Sequence, residues 1–280
     1  FFFQLAWWSY ILVLAGLNES RHGNAVLLRG RGELFWLAGI SVGAWLGFEV
    51  LNFKLGNWHY IGLPIEGFLR WPGYVVAFAT VIPGVLETER FLDNQGVLEG
   101  LGGRRIKVPP SLHIRLMAIG LLMLIGPFLS PEVFFPFIWM GLVFLLDPIL
   151  YRSSRSEYSI LSQAESGSYE LVGRLAIAGL LCGILWEFWN FWAGAKWFYT
   201  IPYFDFLKVF EMPVVGYLGF MFFALECYLL YQCSILIRER ARRWNVLIRV
   251  LILAAGVGLG SVVVYWIDTI TVMSFRILTH

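Results

Sequence analysis

Carboxylates inside apolar stretches are the residues of this chain best placed to do chemistry, and two of them open matching motifs. Glu49-Val-Leu-Asn52-Phe53 runs on to Trp58-His59-Tyr60 and Pro64, and Glu187-Phe-Trp-Asn190-Phe191 runs on to Trp197-Phe198-Tyr199 and Pro202. In a helix this spacing puts acid and amide on one face. Two further acids, Glu87 and Glu226, each follow a leucine deep inside another apolar run. One charged residue at the centre of a bilayer costs about 2.5–3.5 kcal/mol, so these glutamates, ionised and unpaired, would cost on the order of 10 kcal/mol. They are therefore expected to be neutralised or tied to buried partners. Two uses stay open. The acids cap and cross-link helices, with Glu87 and Glu226 bonded to Trp or Tyr donors across an interface. Or they line a cavity and serve chemistry or transport.

The elements that must carry these acids follow from composition. Of 280 residues, 59% are hydrophobic and only 14% charged, against about 25% charged in soluble domains. Lipid is the expected solvent. A net charge of +2 gives no electrostatic case for nucleic acid. Cys182, Cys227 and Cys233 match neither a disulfide framework nor a zinc pattern and read as small apolar core residues. His22, His59, His113 and His280 all fall at span ends or in loops, so a bis-histidine transmembrane haem is not expected, and no metal site is read.

A bilayer core takes about 20 apolar residues per helix. Spans are expected near 1–17, 33–53, 71–92, 111–130, 132–151, 172–193, 212–236 and 247–272, an all-α polytopic bundle of about eight spans. Pro83-Gly84 is the one point where a span should break. Alternate connections carry Arg21, Arg29, Arg31, Arg104, Arg105, Lys107, Arg152, Arg155, Arg238, Arg240, Arg242 and Arg243; the others carry only Lys54, Arg70, Lys196 and Lys208. The positive-inside rule places the first set in the cytoplasm and both termini outside. Residues 1–130 and 131–280 then form a parallel four-plus-four internal repeat, with Leu86-Glu87 aligned to Leu225-Glu226. Glu49, Asn52, Glu187, Asn190 and Asp268 lie near outer helix ends; Glu87 and Glu226 lie roughly 21 to 24 Å below the outer surface.

The outer connections Asn57-Trp58-His59-Tyr60-Ile-Gly-Leu-Pro64 and Lys196-Trp197-Phe198-Tyr199-Thr-Ile-Pro202-Tyr203-Phe204 are aromatic. They read as an interfacial belt or as a lid lined for an apolar, π-rich ligand. Gly39-x3-Gly43-x3-Gly47 and Gly179-x3-Gly183 are expected to permit close helix packing.

Trp186-Glu187, Gly194-Ala-Lys-Trp197-Phe-Tyr199 and Glu211-Met-Pro213 follow one another in an order that the first half repeats as Trp45 with Glu49, Gly56-Asn-Trp58-His-Tyr60 and Leu63-Pro64-Ile65-Glu66. The repeat unit resembles the lycopene cyclase domain of heterodimeric bacterial and fused fungal enzymes. The family's Pro-x-Glu-Glu is absent: Gly67 follows Glu66, and Val214-Val215 follow Pro213. The resemblance implies cyclisation of a polyene. An acid, Glu187 or Glu49, protonates a terminal double bond, with Asn52 and Asn190 beside it. Trp58, Trp186 and Trp197 wall the resulting carbocation, and a base removes a proton. No redox cofactor is demanded; carotenoid or lipid is the expected ligand.

Three functions stay in play for this integral membrane protein, its expected home a bacterial inner membrane. One is an isoprenoid or carotenoid cyclase with an apolar isoprenoid substrate. The second is a non-catalytic subunit or scaffold that binds lipid or pigment and meets other membrane subunits. The third is a small proton-coupled transporter using Glu87 and Glu226. Trp58, Tyr60, Trp186, Trp197, Tyr199, Glu87 and Glu226 are the expected substrate contacts.

Overall fold

The structure, a computed structural model, describes residues 1–201, 203 and 206–276. Pro202, Phe204 and His280 lie outside the described residues. The chain is almost entirely helical. In order come α1 (Phe2–His22), α2 (Glu33–Leu55), β1 (Trp58–Ile61), α3 (Gly67–Phe78), α4 (Val81–Asn94), α5 (Pro110–Leu129), α6 (Pro131–Phe134), α7 (Ile138–Tyr151), α8 (Ile160–Ser166) and α9 (Glu170–Trp192). The short strands β2 (Lys196–Tyr199), β3 (Lys208–Val209) and β4 (Met212–Pro213) follow, then α10 (Tyr217–Ala241), α11 (Val246–Trp266), a π-helical turn at Ile267–Thr271, and α12 (Met273–Arg276).

Seven helical stretches are long and apolar enough to cross a membrane: 33–55, 67–94, 110–129, 131–151, 170–192, 214–241 and 246–271. They coincide with all the expected spans but the first. That one, α1, is 21 residues long, but Gln4, Ser9, Asn18 and Glu19 lower its apolarity below that of the others. It is nevertheless a core element, with Trp7 and Ile11 buried against the bundle.

Helix ends follow local chemistry. Gly23 and Gly56 close α1 and α2 in the left-handed conformation. Pro110 opens α5 at a position where its missing N–H costs nothing. The carboxylate of Asp147 accepts Ile160 N at 2.7 Å and Leu161 N at 2.9 Å, orphan donors at the start of α8.

The third span is two helices. Pro83 has no N–H for the carbonyl of Ala79, and the helix breaks at Ala79 and Thr80. Ser41 of α2 fills the gap. Its buried hydroxyl donates to Phe78 O at 2.6 Å and accepts from Ile82 N at 3.0 Å. One side chain thus supplies both halves of the hydrogen bond that the helix gives up, as backbone at membrane depth requires.

α4 sits at the centre, against α1, α2, α9 and α10. Gly84 admits the indole of Trp7: a Cβ there would lie 2.8 Å from Trp7 Cζ3. Gly179 and Gly183 let α9 close on α10, where added Cβ atoms would lie 2.2 Å from Phe220 O and 2.4 Å from its ring. The first glycine stripe does not pack as expected. Cβ atoms on Gly39, Gly43 and Gly47 would meet nothing within 4 Å, so this stripe of α2 faces outward.

The aromatic connections are not helical. β1 and β2 pair antiparallel, Trp58 with Tyr199, His59 with Phe198, Tyr60 with Trp197 and Ile61 with Lys196. At the membrane boundary two short connections satisfy their backbone groups most directly on each other. Gly62, at φ 68°, turns the chain out of β1, where the carbonyl of Gly194 leaves no room for a Cβ.

Candidate functional site

The acid–amide spacing works as the helix geometry dictates. Asn52 donates to Trp58 O at 2.8 Å and accepts from Asn57 N at 2.8 Å and Trp58 N at 3.2 Å. Asn190 donates to Trp197 O at 2.8 Å and accepts from Trp197 N at 3.0 Å. Each amide thereby fixes the start of its strand to the end of its helix. Both are fully buried, and their polar groups are spent on backbone.

The strands deliver donors to the acids. Oε1 of Glu49 accepts from Trp45 Nε1 at 2.9 Å, Trp58 Nε1 at 3.0 Å and Tyr60 OH at 2.5 Å. Oε1 of Glu187 accepts from Tyr199 OH at 2.7 Å, and Trp197 Nε1 backs that hydroxyl at 2.9 Å. The difference has a local cause. Trp45 stands one turn before Glu49, whereas Gly183 stands one turn before Glu187 and is needed for packing against Phe220. Both carboxyls are fully buried, and Oε2 of each has no hydrogen-bond partner among the described residues. Burial, then the neighbouring Glu49, pushes the Tyr60 phenol well above its ordinary value; burial and Glu187 do the same to Tyr199. Both hydroxyls stay protonated donors.

Around these acids stands an aromatic cluster. Trp45 and Trp186 meet at 5.2 Å between centroids, Trp45 and Trp58 at 6.0 Å, and Trp186 and Trp197 at 6.0 Å. Phe48 stacks on Trp139 at 5.2 Å. Two cavities flank the cluster. One, of about 320 Å³, runs beside Phe1 to Gln4, Arg70, Tyr74 and Lys196. The other, of about 350 Å³, is bounded by Trp58, Trp139, Tyr199, Met212 and Phe223. Trp45, Tyr60, Trp186 and Trp197 line both. The expected contacts Trp58, Tyr60, Trp186, Trp197 and Tyr199 therefore surround one region. Glu49 and Glu187 stand behind them, one side chain removed from the open space.

Asp268, in the π-helical turn, belongs to the same end. It accepts from Arg70 Nε at 2.9 Å and Nη2 at 2.7 Å, Trp71 Nε1 at 2.9 Å and Tyr74 OH at 2.9 Å. Arg70, Tyr74, Phe3 and Trp139 were not read as site residues from sequence. The one available signal is an arginine at the same predicted depth as an intramembrane aspartate.

The deeper acids have other work. Glu87 accepts from Asn18 Nδ2 at 2.8 Å and Leu27 N at 2.6 Å, pinning a loop whose Ala25, Val26 and Leu27 are buried. Glu226 accepts from Leu142 N at 3.0 Å, and its Oε2 has no partner. The donors are thus an amide side chain and backbone N–H groups, one in the loop before α2 and one in α7, not the expected Trp or Tyr. Neither acid lines the cavities described here, and the expected substrate contacts Glu87 and Glu226 are not brought to the aromatic cluster. The polar cavity at the opposite end of the bundle, about 330 Å³, is built on Glu89, Arg90, Asp93 and Arg174 instead. There Arg174 holds Glu89 and Asp93, each at 3.0 Å.

No protein-family model, curated protein or solved structure matches the chain.

Proposed function

We propose that this multi-pass membrane protein holds an apolar, π-rich ligand of isoprenoid or carotenoid type in the paired aromatic cavities. The observation that carries the reading is their shared wall of Trp45, Tyr60, Trp186 and Trp197. Cavities of about this size, mostly apolar with few polar groups, suit such ligands. The likeness of the repeat unit to the lycopene cyclase domain points the same way.

Cyclisation is the chemistry the acids favour. Glu49 or Glu187 would give its proton to a terminal carbon–carbon double bond by way of Tyr60 or Tyr199, whose hydroxyls bond the acids and which line the larger cavity. The cation would close on the next double bond, and a carboxylate would take a proton back. The indole faces are suited to the intermediate charge. A second reading, a pigment- or lipid-binding subunit of a larger complex, is favoured by α11, whose most apolar stretch has no buried residue. Proton-coupled transport gains no support from Glu87 and Glu226.

The duplicated arrangement belongs to the same proposal. The ribbon sets the first residue of one Trp-x-Tyr motif against the last of the other, with His59 and Phe198 at the centre. Such pairing supports two like-oriented halves, 1–130 and 131–280, about a pseudo-twofold axis. With α1 counted as the eighth crossing, the charge pattern puts both termini outside, in a bacterial inner membrane.

Expression in a lycopene-accumulating host tests the reading. Pigment should stay with the protein through mild-detergent purification and be lost from a Trp45→Ala, Trp186→Ala variant. Cyclic product identifies an enzyme; unchanged pigment identifies a binder. Well-inserted protein that carries no pigment overturns the proposal, and recovery as a lone monomer argues against the complex.

A further inference from the structure

We infer that the aromatic site selects, among apolar ligands, those carrying a positive charge, such as a quaternary ammonium or a comparable lipophilic cation. The inference rests on the ligand-binding reading above and narrows it.

It starts from unequal treatment of the buried acids. Glu33 has Arg238 at 2.7 Å, Glu89 has Arg174 at 3.0 Å and Asp268 has Arg70 at 2.7 Å. Glu87, Glu226 and Asp147 lack a cation in an ion pair but take backbone N–H donors. Glu49 and Glu187 lack one too among the described residues, and they alone have only indoles and phenols as partners, beside the aromatic cavities, with one oxygen of each left bare. Among the described residues, no Lys, Arg or His lines the larger cavity. In the smaller one Arg70 and Lys196 are already matched by Asp268 and Glu211, each at 2.7 Å. Positive charge is therefore missing where two carboxyls are buried. The residues between the carboxyls and the open space are Trp45, Trp58, Tyr60 and Tyr199, whose ring faces are the negative ends of their quadrupoles. A cation with apolar substituents would satisfy both the faces and the acids behind them, and would bring little hydration to lose.

The test compares 3-phenylpropyl-trimethylammonium with its neutral carbon isostere, in which a tert-butyl group replaces the trimethylammonium. Each is titrated against the full chain in nanodiscs of neutral lipid by tryptophan fluorescence. The cation should bind about tenfold tighter or more, the size of one desolvated cation–π contact. Glu49→Gln and Glu187→Gln, made singly and together, should reduce the preference to what the aromatic rings alone supply, with an unchanged unfolding midpoint of the unliganded protein reporting an intact fold. Equal binding of the two probes by the wild type overturns the inference and leaves the apolar-ligand reading standing. Binding of neither overturns both. A preference undiminished in the double variant shows that the acids do not set it and overturns their role.

Discussion

Replacing Asn52 by Ala would unmake three hydrogen bonds at once, to Asn57 N, Trp58 N and Trp58 O. The buried backbone groups left behind should cost about 1–3 kcal/mol of stability, read by denaturation in bicelles. Ser41→Ala should cost a similar amount, about 1–3 kcal/mol, because Phe78 O and Ile82 N lose their shared partner where no water can replace it. Had the hydroxyl merely filled space, the alanine variant would be near neutral. The two residues also show what a sequence discloses. The three-residue interval between Glu49 and Asn52 announces a common face, and the structure uses it so. Nothing local marks Ser41, whose task is set by a proline on a different helix. Likewise Glu49 was legible as a buried acid, but the donors on its Oε1 come from one turn back and from a strand whose position depends on residues 196–199.

At the scale of elements, the β1–β2 ribbon is what all-helical periodicity could not foretell. Its strands are too short to show alternation and lie far apart in the chain, so only their pairing creates them. Tyr60 and Tyr199 tie it to the acids, and this gives a pH dependence with a definite sign. A phenol pushed above its ordinary value is stabilising while protonated. The unfolded chain releases its proton near pH 10, earlier than the folded one, so the contribution is full below about pH 10 and declines above it. The stability gap between wild type and a Tyr60→Phe, Tyr199→Phe variant should therefore shrink from pH 8 to pH 11. A constant gap would mean that neither hydroxyl is held as described. The broken third span was legible at Pro83; the outward face of the Gly39, Gly43 and Gly47 stripe was not, since small residues permit an approach without supplying the neighbour.

For the molecule as a whole, Arg174 joins α9 to α4 through Glu89 and Asp93. Arg174→Met should cost about 3–5 kcal/mol by leaving Glu89 buried without its ion-pair partner, while Asp93 keeps Arg90 at 2.9 Å, and adding Glu89→Gln should recover much of the loss. Cysteine labelling in intact cells should mark His59→Cys and Lys208→Cys from outside, and Arg104→Cys and Arg242→Cys only after permeabilisation; the reverse pattern would invert the topology. The seven apolar helices were legible because lipid demands length and composition alone. The β1–β2 ribbon carries a last consequence. His59 lies opposite Phe198, their rings stacked at 5.7 Å. Two separate copies of one half, side by side in a membrane, would close the same ribbon as a homodimer, with the central residue of each obliged to face its own twin. On the proposed repeat, a joined chain or two unlike subunits are released from that obligation, and the unlike pair excludes only a symmetric homodimer.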